Sequence, residues 1–225
     1  MAKSQCYVVL DTESSVCELS FRRVLVSLAY EVVDVNASNV VRQSHYEIIR
    51  QPGCMQLDTL SESIHGITVK QSQEKGKPLA DVLQRFLTVL HTVSSNAIVG
   101  HDIAGDIQLI VNEAIRVGVR PTDLGPLRRL LCTKLLSIAQ CRLPLPGHLQ
   151  YEYPCDVVLQ TLNEHPPKKL SATYKFPSLE ESYSHVVALN DFPPHHHAHD
   201  ARGDVERCRA VLIHLLLQRQ KKRHG

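Results

Sequence analysis

The sequence predicts an α/β domain built on a mixed sheet. Three observations carry that reading: strand-like apolar runs form a meander in the N-terminal part, a strongly amphipathic helix follows, and a short apolar strand then leads into a second helical run. Strands that come first in hairpin order and later alternate with helices give both antiparallel and parallel pairs. With 225 residues and 43% hydrophobic composition, the chain can bury a full core. It is read as one domain over 1–225, with a Pro-rich elaboration at about 141–170 and a basic tail at 218–225.

The first strand is Cys6-Tyr7-Val8-Val9-Leu10, closing in Asp11-Thr12-Glu13-Ser14-Ser15. Val24 to Val33 reads as a second, largely buried strand, Asp34 to Asn39 as a turn, and His45 to Arg50 as a third strand. Pro52-Gly53 ends the meander, and a polar connection runs to Ile64-His65-Gly66-Ile67-Thr68. Leu79, Val82, Leu83, Phe86, Leu87, Leu90 and Val93 then fall at the spacing of one helix face. Ala97-Ile98-Val99 forms a short strand leading through Gly100-His101-Asp102 to a helix over Ile107 to Ile115, opened by Asp106. Prolines punctuate the chain from Gly118 to about Leu170, with Cys132 to Gln140 a short helix or strand among them. Ser178-Leu179-Glu180-Glu181 has the form of a capping box and starts a helix through about Val187. After a turn and a histidine run, Val205, Cys208, Val211, Leu212, Leu215 and Leu216 line one face of the last helix.

Composition excludes several classes. No apolar run approaches the ~18 residues of a transmembrane helix, and the apolar stretch before Asp11 is too short for a signal peptide. The expected location is intracellular, cytoplasmic or nuclear. Seven scattered cysteines without a C-x-x-C pair suggest neither a zinc site nor a disulfide framework. A net charge of +2 announces no concentrated basic footprint, although Arg219 to Arg223 cluster in the tail. That tail reads equally as a solvated helix end, a nucleic-acid contact or a nuclear address.

The chemistry lies in the carboxylates. Side chains two apart on a strand share a face, so Asp11 and Glu13 sit side by side as the strand leaves the core. Two converging carboxylates are hard oxygen ligands suited to Mg²⁺ or Mn²⁺. Asp106 opens a helix, where a carboxylate also serves as a simple cap. His199 and Asp204 form H-x-A-x-x-D ahead of the last helix; His195 and Asp200 share the same gap but lack the alanine. A zinc site made from His195, His196, His197 and His199 is a further reading, against which a solvated loop stands as the alternative.

In order and type, Asp11 with Glu13, then Asp106, then His199 with Asp204 resemble the three motifs of the DEDDh 3′→5′ exonucleases. The resemblance extends to Ile64 to Thr68, Val99-Gly100-His101, Leu131-Cys132-Thr133 and Lys175 to Leu179, and so covers nearly the whole chain. It implies a ribonuclease H-like fold, a mixed five-stranded sheet with helices on both faces. It also implies a hydrolase that releases nucleoside 5′-monophosphates from a 3′ end. Four converging carboxylates would hold two divalent ions about 4 Å apart, one activating a water and the other stabilising the leaving 3′ oxygen. A neutral imidazole, His199, would take the water's proton. By resemblance Asp11 bridges both ions, Glu13 and Asp204 complete the nucleophile's side, and Asp106 holds the second ion through water. Thr12 and His65 would lie near the terminal nucleotide.

The first motif lacks the family's usual glycine, since Ser14-Ser15-Val16 follows Glu13, and the second carries Asp102 and Gly105 where Asn and Phe are common. Asp102 therefore competes with Asp106 for the ligand position, and the distance from Gly100-His101 favours Asp106. The alternative functions are an inactive nucleic-acid-binding module, or a proofreading or processing subunit that depends on a partner. With 5% aromatic residues and no Trp, recognition is expected at the terminal nucleotides of single-stranded or frayed DNA or RNA. The resemblance also implies a homodimer, the state common among relatives.

Overall fold

The computed structural model describes residues 6–35, 40–93, 95–120, 130–143, 174–187 and 199–224. Five strands, β1 (Cys6–Cys17), β2 (Arg22–Asp34), β3 (Val40–Ile48), β4 (Ser95–Gly100) and β5 (Leu130–Cys132), form one sheet in the order β3-β2-β1-β4-β5. β1 pairs antiparallel with β2 and β2 with β3, whereas β4 lies parallel to both β1 and β5. The mixed sheet expected from the sequence is present. Its helices are α1 (Thr59–His65), α2 (Val69–Lys75), α3 (Leu79–Thr92), α4 (Ile103–Arg116), α5 (Thr133–Cys141), α6 (Leu179–Val187) and α7 (Ala201–His224).

Strand alternation divides the core in two. Val8 and Leu10 turn to one face of the sheet and pack with Leu83 and Phe86 of α3 and Ile103, Ile107 and Ile110 of α4. Tyr7 and Val9 turn to the other and pack with Ala201, Val205, Cys208 and Leu212 of α7. β1 is thus covered on both sides, as the near-continuous apolar run Cys6 to Leu10 requires.

Several local readings change. The polar connection after Pro52 holds two seven-residue helices, α1 and α2. Asp58 caps α1 by accepting from the Ser61 amide, and Thr68 with Gln71 forms a full capping box on α2. β3 starts at Val40, five residues before the predicted strand. The middle helix begins at Ile103, so Asp106 stands in its first turn rather than opening it. Asp204 likewise stands in the first turn of a helix that begins at Ala201. Cys132 to Gln140 resolves into the end of β5 and α5. Ser178 and Glu181 exchange the hydrogen bonds of the expected capping box. The last helix keeps a helical backbone through His224, within the basic tail. Most of the Pro-rich segment and residues 188–198, including His195, His196 and His197, lie outside the described residues. Among the described residues, no helix is long and apolar enough to cross a membrane.

Candidate active site

Asp11 and Glu13 continue the Tyr7 and Val9 face of β1, which brings them under the N-terminal turn of α7. One oxygen each from Asp11, Glu13 and Asp204 lies within 4.8 Å of the others. Immediately after Glu13 the β1–β2 register shifts, pairing Glu13 with Ser27 but Ser14 with Leu25. Such a bulge increases local twist and re-aims the strand, here at the last carboxylate.

Asp106 approaches from the other side of the sheet. Thr12, between the two β1 carboxylates, points toward α4 and donates from Oγ1 to Asp106 Oδ1 at 2.6 Å. The second oxygen, Asp106 Oδ2, is buried without a hydrogen-bond partner among the described residues. It rests against Gly100, where a Cβ would come to 3.1 Å from it. A side chain at the end of β4 would press on this carboxylate and shift it by a few tenths of an ångström.

Burial dominates the electrostatics. It pushes the Asp11 carboxyl well above its ordinary value, and the charges of Asp106, Asp204, Glu13 and Asp200 add to the rise. Glu13 is pushed up to about 8 by burial, then by Asp204, Asp200 and Asp106. Asp106 is pushed up to about 7 by burial, against the opposing hydrogen bond from Thr12. Burial raises Asp204 as well, opposed by Arg207, whose Nη1 donates to Asp204 Oδ1 at 2.5 Å. Arg207 is itself 5% exposed. Four carboxylates thus meet one buried cation, an excess of negative charge that a divalent ion would offset. The orphaned Asp106 oxygen and the close Asp11, Glu13 and Asp204 trio fit such an ion by donor type and by placement.

Asp11, Asp106 and Asp204 border a cleft of about 740 Å³ that also takes in Arg23, Lys134, Lys175 and Phe176. His199 lines the cleft from the residue pair before α7, exposed and at φ +66°, with a charge interaction with Asp204. His65 is held at both ring nitrogens: Nδ1 accepts from the Ile67 amide, and Nε2 meets Ser15 Oγ at 2.8 Å. Burial lowers its pKa and favours the neutral ring. Asp102, the competing ligand, has a side chain 63% exposed and paired with Lys134 at 3.1 Å. Asp200 lies outside the close trio and accepts from the Arg202 amide at the start of α7.

Sequence reasoning passed over Arg207 and Lys134, and took Lys175 only as part of a resembling segment, with no role. No motif names Arg207 or Lys134; only the three-residue spacing of Arg207 from Asp204 on a helix carried a signal.

No family model and no curated protein matches the chain. Solved structures do. The zinc-bound form of E. coli exonuclease I with single-stranded DNA superposes with a TM-score of 0.66 at 18% identity, over 97% of this chain and 42% of that one. The nuclease domain of 3′hExo, described as a DEDDh family member bound to rAMP, superposes at 0.63 and 12% identity over 96% of this chain and 94% of its own. The fold is that of the DEDDh exonucleases. A 3′-exonuclease solved in recognition of a histone mRNA stem-loop gives 0.63 at 11% identity, over 97% of this chain and 84% of that one. The chain therefore spans less than half of exonuclease I but nearly all of the 3′hExo nuclease domain.

Proposed function

We propose that the chain is a 3′→5′ exonuclease, dependent on Mg²⁺ or Mn²⁺, that hydrolyses phosphodiesters of DNA or RNA to nucleoside 5′-monophosphates. The observation that carries this reading is the convergence of Asp11, Glu13 and Asp204 beside the orphaned Asp106 carboxylate, in the cleft of this particular fold. In it Asp11, Glu13, Asp106 and Asp204 hold two divalent cations. Bound there, the cations supply the positive charge that an in-line displacement on an anionic phosphodiester requires.

The chain's own side chains do the rest. Thr12 and Arg207 fix the orientation of Asp106 and Asp204 before any ligand arrives. His199, exposed at the mouth of the cleft, accepts the proton of the attacking water as general base. His65, held neutral, locked by Ser15 and Ile67 and in charge contact with His199, meets the terminal nucleotide together with the main chain at Thr12. The substrate is a single-stranded or frayed 3′ end.

The test follows 5′-labelled and 3′-labelled single strands of DNA and RNA in Mg²⁺, Mn²⁺ and EDTA. Stepwise shortening from the 3′ end is expected, absent in EDTA. It should fall by about a thousandfold in Asp11→Asn and about a hundredfold or more in His199→Gln. Tight binding with no shortening of any strand would instead assign the chain as a binding module.

A further inference from the structure

Among the described residues, Arg23, Lys134 and Lys175 line the cleft, and they are not equivalent. Lys134 pairs with Asp102 at 3.1 Å and Lys175 with Glu181 at 2.5 Å. Arg23 instead gives Nε and Nη2 to the neutral Ser14 hydroxyl, at 3.2 and 2.7 Å, and among the described residues no carboxylate pairs with it. It is exposed, lines the cleft and interacts with Asp106 through charge. A guanidinium fixed by a hydroxyl keeps its full charge and several donors for an arriving anion, and its fork suits phosphate.

Two residues before Arg23, at the tip of the β1–β2 hairpin, stands Phe21. Its side chain is 86% exposed, and its backbone sits at φ +52°, a region that bulky residues rarely enter. Folding gains nothing from an aromatic ring at this position, where Gly or Asn would relax the turn. Leu19 beside it is 69% exposed, and Arg22 between the aromatic and Arg23 is exposed too. The tip is nonetheless firmly held. The Phe21 amide donates to the Cys17 carbonyl at 2.7 Å, and residues 56–58 run alongside, with Glu18 donating to Gln56 and Asp58 to Val16, both at 2.9 Å. An exposed aromatic on a rigid stem, followed by two arginines of which the second lines the cleft, has the makeup of a single-strand stacking platform.

We propose that the β1–β2 hairpin is a second nucleic-acid contact, in which Arg23 takes a backbone phosphate at the cleft rim and Phe21 stacks on a base farther from the 3′ end. This rests on the exonuclease reading and adds to it a preference for strands long enough to reach the hairpin. Stacking on the ring makes longer single strands better substrates than trinucleotides, whereas the phosphate contact at the rim serves both lengths.

The deciding experiment measures steady-state hydrolysis of a trinucleotide and a twelve-nucleotide single strand by the parent, Phe21→Ala, Phe21→Trp and Arg23→Ala. Thermal melts establish that each variant is folded. Phe21→Ala is expected to raise KM for the long strand by about 5- to 100-fold, with a smaller rise for the trinucleotide, and Phe21→Trp to restore the length advantage. Arg23→Ala should raise KM for both lengths. An unchanged KM ratio in Phe21→Ala overturns the proposal. So does a shift from dimer to monomer in sedimentation with that ratio intact, since the tip would then join two copies of the chain. Should the parent shorten no strand at all, the exonuclease reading falls. Fluorescence anisotropy of the labelled long strand then decides the platform alone: weaker binding in Phe21→Ala keeps it, and equal binding removes it.

Discussion

The two faces of β1 meet the same problem, a buried carboxylate beside other carboxylates, and solve it differently. On the α7 face, Asp204 is steadied by a full charge, the buried Arg207 guanidinium. On the α4 face, Asp106 has no ion pair among the described residues: the Thr12 hydroxyl holds one oxygen, and the second has no hydrogen-bond partner there. A hydroxyl orients a carboxylate without neutralising it. The α4 face therefore keeps its negative charge available, whereas the α7 face has part of its charge already compensated.

The sharpest way to break this contrast is Arg207→Ala. Removing one partner of a buried ion pair leaves an uncompensated charge, so the metal-free protein should lose about 3 kcal/mol of stability, with Mg²⁺ restoring part of it. Denaturant melts in EDTA and in Mg²⁺ read both effects. A loss below about 1 kcal/mol would mean that Arg207 does not compensate Asp204.

Thr12→Val probes the other face with little change in volume. It should destabilise by about 2 kcal/mol and weaken Mg²⁺ binding by roughly tenfold or more, because Asp106 loses the hydrogen bond that aims it. Calorimetric titration with Mg²⁺ measures the affinity, and an unchanged affinity would remove Thr12 from the site.

Glu13→Gln sharpens the comparison through pH. The Glu13 carboxyl is raised from 4.5 to about 8, so its contribution to folding is complete below about pH 4.5 and is lost as pH climbs through about 8. In EDTA the variant should match the parent near pH 4 and exceed it by on the order of 1 kcal/mol at pH 9, after discounting for solvent screening. Mg²⁺ should reverse the order at high pH. Melting temperatures that run parallel across this range would show that the acidic cluster does not strain the metal-free fold.

The smallest effect expected is that of Asp102→Asn, since an exposed pair with Lys134 contributes little. Strand shortening should stay within about twofold of the parent. A loss as deep as that of Asp11→Asn would move the ligand role from Asp106 to Asp102.

How much of this was legible beforehand depends on whether burial leaves a period in the sequence. α3 and α7 announced themselves because each presents one long apolar face to the core, and β1 because both its faces are covered. α1 left no such trace, since none of its seven residues is buried; it is held by the Asp58 cap and by a left-handed Gly66 after it. The Thr68 and Gln71 box on α2 was legible as a capping pattern but was passed over inside a polar stretch. β5, three residues long, is too short for alternation to register.

By itself the sequence determined the strand and helix pattern and the types and order of the acidic residues, because side-chain period and ligand chemistry are local properties. It also placed Asp11 and Glu13 on one face, since that needs only the two-residue repeat of a strand. Only the tertiary structure decided which distant groups meet. Asp204 stands with Asp11 and Glu13 because α7 packs on that face of β1, and Asp106 points inward while Asp102 faces solvent because α4 starts three residues before Asp106. Arg207 on Asp204, Thr12 on Asp106 and Arg23 held by Ser14 at the rim follow from that packing, and distances across a fold are set by how faces bury rather than by spacing along the chain.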